Sequence, residues 1–368
     1  MKNKVIYKIS VITMLFLLLF GCFTTNNSFI QSGCFKGKLS PLYCISNGDE
    51  FIFKEIKNFG LFLVKIGSRE NFSKTVSANF SSAPVIPVSE IVPETTVTVN
   101  KENPPDIKQP VEKTISSSAG NVNAGNFITI GNQTSYKVDI KALSEKGIPF
   151  SVHDNSSPQV LIIHTHGTES YTPSEKYNFT YSETTRSTNP AYNVVRIGKE
   201  VSELLNQAGI NVIHDVTMYD YPEYNSSYDK AFYGIKAMLK KYPSIQIVLD
   251  IHRDAVNTET GETVKLVCDV KGEKAAQIMF VVGTDECGFS HPNWEYNLKF
   301  ASIIQKNLYK INPSLVRPIN LRTSRFNQHF TKGSLIVEVG TNGNTLDEAL
   351  VSAKYLAEAI KETIEYMK

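Results

Sequence analysis

Residues 245–254 read Ile-Gln-Ile-Val-Leu-Asp-Ile-His-Arg-Asp, an apolar run that ends in Asp250, His252, Arg253 and Asp254. A strand covered on both faces reads as a near-continuous apolar run. Ionisable groups crowded at its end therefore mark the edge where the chain leaves the core. Two other runs share this design. Val160-Leu161-Ile162-Ile163 passes directly into His164-Thr165-His166-Gly167-Thr168-Glu169, and Ser334–Val339 (SLIVEV) carries Glu338. Further strands are expected at 210–213, 264–270 and 275–282. Between them, residues 191–208 place apolar side chains at 194, 197, 201, 204 and 205, which is helical spacing, and Gly209 supplies a stop. Residues 228–242, 297–311 and 345–366 are also expected to be helical. Strands alternating with helices predict an α/β domain over residues 126–368, with a mostly parallel sheet flanked by helices on both faces. In such sheets ligands bind beyond the carboxyl ends of the strands.

Upstream of this domain the sequence changes character twice. Lys2, Lys4 and Lys8 precede an uncharged run, ISVITMLFLLLFGCF, from Ile9 to Phe23. This predicts an uncleaved signal anchor over residues 1–23, with the rest of the chain outside the cytoplasm. The rival is a lipoprotein modified at Cys22, although Phe20 is bulky for that motif. Residues 24–125 are expected to form an extended extracytoplasmic stalk. Residues 51–66 alone suggest a short strand or helix, and prolines at 84, 87, 93, 104, 105 and 110 interrupt regular structure.

The chain has 368 residues, with 38 Lys and Arg against 36 Asp and Glu, so it lacks the excess of positive charge by which a protein binds nucleic acid. Hydrophobic residues make up 41%, enough for a substantial core. Cysteines at 22, 34, 44, 268 and 287 lack the paired spacing of a structural zinc site and are too few for a disulfide scaffold. Cys268 and Cys287 read as packing or loop residues. No G-x-S-x-G elbow or phosphate-binding glycine loop is present.

The three strand ends carry metal-type side chains. In an extended segment His164 and His166 point to the same side. Gly167 lets the chain turn, and Glu169 can fold back. Burying an unpaired carboxylate here would cost several kcal/mol, a cost that a divalent cation removes. Imidazole with carboxylate suits zinc, and two His with one Glu and an open position form a catalytic type of site. Such an ion brings the pKa of its water towards about 7. Glu338, at the end of a neighbouring strand, is placed to take the proton and return it to a leaving amine. Asp250 and Asp254 are candidates to orient His252. Of the other histidines, His153, His291 and His329 read as surface or structural, and His214-Asp215 follows a strand and is placed to line the cleft.

HTHGTESY (His164–Tyr171), YPSIQIVLDIHRDA (Tyr242–Ala255), FNQH (Phe326–His329) and SLIVEVGTNGNTLDEA (Ser334–Ala349) resemble the stage II sporulation protein P family, over about residues 160–359. That family is related to the zinc-dependent N-acetylmuramoyl-L-alanine amidases. The resemblance implies a peptidoglycan substrate, amidase activity with endopeptidase activity left open, a role in engulfment during endospore formation, and the stage II sporulation proteins D and M as partners. His252 and Glu338 match the amidase pattern. There the first ligand His precedes a glycine, which favours His166 over His164. The ligand Glu of those enzymes opens the next helix. Here that place falls near Asn193, a poor replacement for a carboxylate, so Glu169 is the better candidate. Arg253, with Asp254, is a candidate for holding the substrate peptide. The reading from another class is a non-catalytic wall-binding or scaffold protein that keeps the fold without the metal.

Overall fold

The computed structural model describes residues 42–47, 50–55, 62–68, 109–116, 121–122, 127–139, 143, 150–152, 156–180, 182 and 184–367. The expected signal anchor lies outside these residues. Among the described residues, no helix is long and apolar enough to cross a membrane. The described residues divide into two compact units, one within residues 35–107 and one within residues 108–368. In the smaller unit β1 (Leu42–Asn47), β2 (Glu50–Glu55) and β3 (Phe62–Ser68) form an antiparallel sheet in that order. The aromatic and β-branched content of residues 51–66 favours strand over helix, so the stretch left open by the sequence forms β2 and part of β3.

The larger unit contains β4 (Val111–Lys113), β5 (Asn121–Val122), β6 (Thr129–Asn132), β7 (Val160–Ile163), α1 (Val194–Gln207), β8 (Val212–His214), α2 (Ser227–Lys241) and β9 (Ile247–Asp254). It continues with β10 (Val264–Val270), β11 (Glu273–Ala276), β12 (Ile278–Gly283), α3 (Trp294–Ile311), β13 (Ile319–Arg322), β14 (Gly333–Thr341) and α4 (Leu346–Met367). The main sheet runs β5-β6-β13-β12-β14-β9-β7-β8. It is mixed: β5 with β6 and β12 with β14 are antiparallel, and the other pairings are parallel. Five of the seven pairings are parallel, so the sheet is mostly parallel as expected, with two antiparallel seams. β10 does not join this sheet. It pairs with β11 across a tight turn, where Lys271 and Gly272 both have positive φ, and with β4 on its other side. β4 and β5 lie upstream of residue 126, where the sequence reading starts the domain, and each pairs with a strand of the larger unit.

Strand side chains alternate between faces, and the core follows that rule. Val160 and Ile162 of β7 pack in one cluster with Val194, Ile197, Val201 and Leu205 of α1 and with buried residues of α3 and α4. Leu161 and Ile163 pack in another with Ile235 and Met238 of α2. Helices thus cover both faces, three on one and α2 on the other. Each fully buried Leu or Ile contributes about 1.5–3 kcal/mol relative to exposure, which fixes the face that each residue presents. α1 starts at Asn193, whose Oδ1 accepts from Val195 N at 3.0 Å, and Gly209 with φ of 81° follows its end. Within the main sheet β14, β9, β7 and β8 are consecutive parallel neighbours, so their carboxyl ends share one edge.

Candidate functional site

Strand register brings the polar strand ends together. Ile163 lies opposite Asp250, and Glu338 lies opposite His252. β7 ends at Ile163, and the chain then turns, with Glu169 N–H donating to the His166 carbonyl at 3.1 Å. Glu169 bridges Arg186, and its carbonyl accepts from Val194 N at the start of α1. The helix position occupied by Asn193 is thereby adjacent to a carboxylate supplied by an earlier loop.

His164 is fully buried and has both ring nitrogens engaged. Nδ1 donates to the Ile251 carbonyl at 2.9 Å, so Nε2 is the acceptor facing His214 Nε2 at 2.8 Å. Burial, with His214 beside it, lowers its pKa to about 3. Gly198 of α1 makes room for this pair, since a Cβ there would fall 2.5 Å from His164 Nε2 and 2.7 Å from His214 Nε2.

His166, two residues on, turns towards β9. Its ring centre lies 5.2 Å from that of His252 and 4.5 Å from that of Tyr224, against which it stacks. Its Nδ1 is buried without a hydrogen-bond partner, and burial lowers its pKa to about 4, which leaves it neutral. His252 sits between two carboxylates, with Nδ1 3.3 Å from Glu169 Oε2 and Nε2 2.8 Å from Asp250 Oδ1. Nε2 does not align with that oxygen and makes no hydrogen bond. Burial opposes charge on this imidazole, but Asp250 and Glu169 hold its pKa well above the usual value. Asp250 is itself fixed by Thr165, from N at 2.8 Å and from Oγ1 at 2.6 Å. Burial would raise the pKa of Glu169, yet the His252 hydrogen bond and the Arg253 charge bring it to about 2. Glu338 has an Oε2 that is buried without a partner. Burial drives its pKa up to about 8, with His252 opposing and Asp254 and Glu169 reinforcing.

Arg253 is buried and committed. Its Nε donates to the Ser170 carbonyl at 3.1 Å, its Nη2 to the Thr185 carbonyl at 2.7 Å, and its backbone N to Glu169 Oε2 at 3.2 Å. It braces the 169–185 loop rather than offering donors at the mouth. Asp254 forms an ion pair with Arg317 at 2.9 Å, so of the two acids proposed to orient His252 only Asp250 reaches it. His291, buried, and His329, partly buried, are a separate pair, with ring centres 6.4 Å apart. Cys268 is buried and free, whereas Cys287 is disulfide-bonded.

The structure also places residues at the site that the sequence reading did not single out. Tyr228, against His166 and Phe326, is one. Another group is Arg186, Asp220 and Tyr224, which come from two loops without periodic pattern. Thr165, flanked by the two histidines, is the only such residue whose position gave a signal.

The donor set fits a divalent cation in chemistry. His166 Nδ1 and Glu338 Oε2 are buried polar atoms without hydrogen-bond partners on either side of His252, and leaving such atoms unpaired is costly. Two imidazoles sharing a tetrahedral ion have ring centres roughly 5 Å apart, given metal–nitrogen bonds of about 2 Å, close to the 5.2 Å seen here. The set is open: among the described residues, no three His, Cys, Asp or Glu side chains are gathered tightly enough to hold an ion.

The family model described as Stage II sporulation protein P matches residues 46–361. The stage II sporulation protein P of Bacillus subtilis (strain 168) is 28% identical over 214 residues, covering 55% of this chain and 50% of that protein. The chain thus spans about half the length of the curated relative it matches. Among solved structures, the CwlD amidase of Clostridioides difficile in complex with the GerS lipoprotein shares 14% identity at a TM-score of 0.36, covering 56% of this chain and 96% of that one. The N-acetylmuramoyl-L-alanine amidase AmiC2 of Nostoc punctiforme shares 16% at a TM-score of 0.34, covering 57% and 97%.

Proposed function

Because the chain belongs to the stage II sporulation protein P family, we propose that it is a peptidoglycan hydrolase of the sporulating cell, specifically a zinc-dependent N-acetylmuramoyl-L-alanine amidase. One observation supports the reading above the rest: two buried polar atoms without hydrogen-bond partners, His166 Nδ1 and Glu338 Oε2, flank His252, whose ring is held between the Asp250 and Glu169 carboxylates. His166, His252 and Glu169 would hold the ion. When bound, zinc supplies a hydroxide-like nucleophile at neutral pH and polarises the scissile carbonyl. Glu338 Oε2 takes the proton from the attacking water and delivers it to the departing amide nitrogen. Asp250, pinned by both donors of Thr165, fixes the His252 ring. Thus the cleaved bond joins the lactyl group of muramic acid to the stem peptide.

The same reading puts the domain outside the cytoplasm behind an N-terminal anchor, acting in engulfment with the stage II sporulation proteins D and M. The open donor set supports a second reading, a wall-binding scaffold without catalysis. Dye release from purified peptidoglycan decides between them, run with metal analysis, a chelator arm and zinc add-back. Loss of release on chelation and its return with zinc are expected. Release unchanged after complete metal removal would sink the zinc mechanism, and no release from zinc-loaded protein would favour the scaffold. Mass analysis of the products separates amidase from endopeptidase cuts.

A further inference from the structure

We propose that Arg186 reads a free carboxylate on the substrate peptide, two residues along from the scissile amide. This rests on the amidase reading above and names the feature of the peptide that the site selects.

Arg186 is bridged backbone to backbone with Glu169, which puts it at the rim of the site. Its guanidinium lies over the Tyr224 ring at 4.5 Å, and that ring stacks on His166 at 4.5 Å. Nη1 donates to Asp220 Oδ2 at 2.8 Å and to Thr168 Oγ1 at 3.1 Å. Asp220 is fully buried and also accepts from Thr168, so it anchors one side of the guanidinium firmly. Nε and Nη2 donate to nothing among the described residues, and the side chain remains 31% exposed. A planar cation held on one side, with its remaining donors free, suits two-point binding of a carboxylate. Arg253, the other arginine at this edge, is buried, with Nε and Nη2 donating to Ser170 and Thr185 and Nη1 facing Glu169 at 3.9 Å.

The spacing suits the substrate class. Two steps of 4.5 Å separate the guanidinium from the His166 ring. Two residues of extended peptide span about 7 Å. In a peptidoglycan stem the second residue is a glutamate linked through its side chain, which leaves its α-carboxyl either free or amidated. Arg186 would therefore favour the free acid over the amide.

The experiment uses the full chain, zinc-loaded, and two muramoyl peptides that differ only in that carboxyl, free or amidated. Turnover and binding are measured for the wild type, for Arg186→Lys and for the double variant Arg186→Met with Asp220→Asn. The double variant removes both partners of the ion pair, so no charge is left buried alone. The wild type is expected to favour the free acid about 10-fold in kcat/KM, through KM, as a charge-assisted pair of about 1.4 kcal/mol would give. The double variant should treat both peptides alike, and the lysine variant should keep only part of the preference. A wild type without preference, or a double variant that retains it, overturns the assignment. If the wild type binds the free acid preferentially through Arg186 but cleaves neither peptide, the assignment stands and the amidase reading fails. Absence of both turnover and preference removes the two together.

Discussion

Two histidine pairs lie at the same sheet edge, two residues apart on one loop, and they are built in opposite ways. His164 and His214 complete each other: one nitrogen donates to a carbonyl, the other accepts from a partner ring, and a glycine in α1 leaves them space. His166 faces His252 with a free Nδ1, and carboxylates flank both nitrogens of His252. The first pair has no use for an added ligand. The second is unfinished, because buried carboxylates call for positive charge and a buried nitrogen calls for a partner. A single loop therefore supports the strand beside the site with one histidine and offers a donor with the next.

The largest effect expected of this division is catalytic. Glu338→Ala should lower wall cleavage by about 10²–10⁴-fold, the usual worth of a proton-transfer group, and His252→Ala, which takes away a residue that would hold the ion, by at least as much. Metal analysis should show zinc kept in the first variant and lost in the second. Full turnover in Glu338→Ala would remove its proton-carrying role. His164→Ala should act on the fold instead. It orphans the Ile251 carbonyl and His214 and leaves a cavity, so chemical denaturation should show a loss of about 2–4 kcal/mol with zinc retained. Loss of zinc from a still-folded His164→Ala would break the division between the pairs. Gly198→Ala presses on the closed pair alone and should cost about 1–3 kcal/mol by overpacking, with thermal unfolding as the measure.

The third pair extends the comparison to pH. Burial, with His329 and Arg325 adding repulsion and Asp285 opposing them, lowers the pKa of His291 to about 3. The unfolded chain then binds a proton near the ordinary value of about 6.5 that the native state refuses. Stability is full above that value and is lost as pH falls towards 3, at about 1.4 kcal/mol per unit. His291→Gln should melt with a shallower pH dependence than the wild type. Parallel curves would show that His291 takes up its proton alike in the folded and unfolded states.

Much of this arrangement was legible in the amino-acid order, and for a simple reason. The runs 160–163, 245–251 and 334–339 are apolar enough to be buried strands, and parallel neighbours must end at the same edge. His252 and Glu338 could therefore be brought together before any coordinates. The choice between His164 and His166 was not legible from alternation, because alternation holds only while the chain stays extended, and β7 stops at Ile163. The pairings of β4 with β10 and of β5 with β6 were hidden for another reason. Strands of two or three residues carry too little pattern to declare a partner. Arg186 had no signal at all, since its place is set by a bridge to Glu169 across an irregular loop.

The antiparallel seam between β12 and β14 divides the sheet's capacity for change. β12 presents its first residues, not its last, beside the end of β14. Insertions in the connection from β12 to α3 would thus grow from the opposite rim and leave the reactive groove alone. The connection from β7 to α1 has no such licence. It carries His164, His166, Glu169 and Arg186 in one span, so gaining or losing a single residue there would throw several groups out of register at once. Diversification of this scaffold is expected to accumulate on the far rim, with the length of the 164–193 segment held constant.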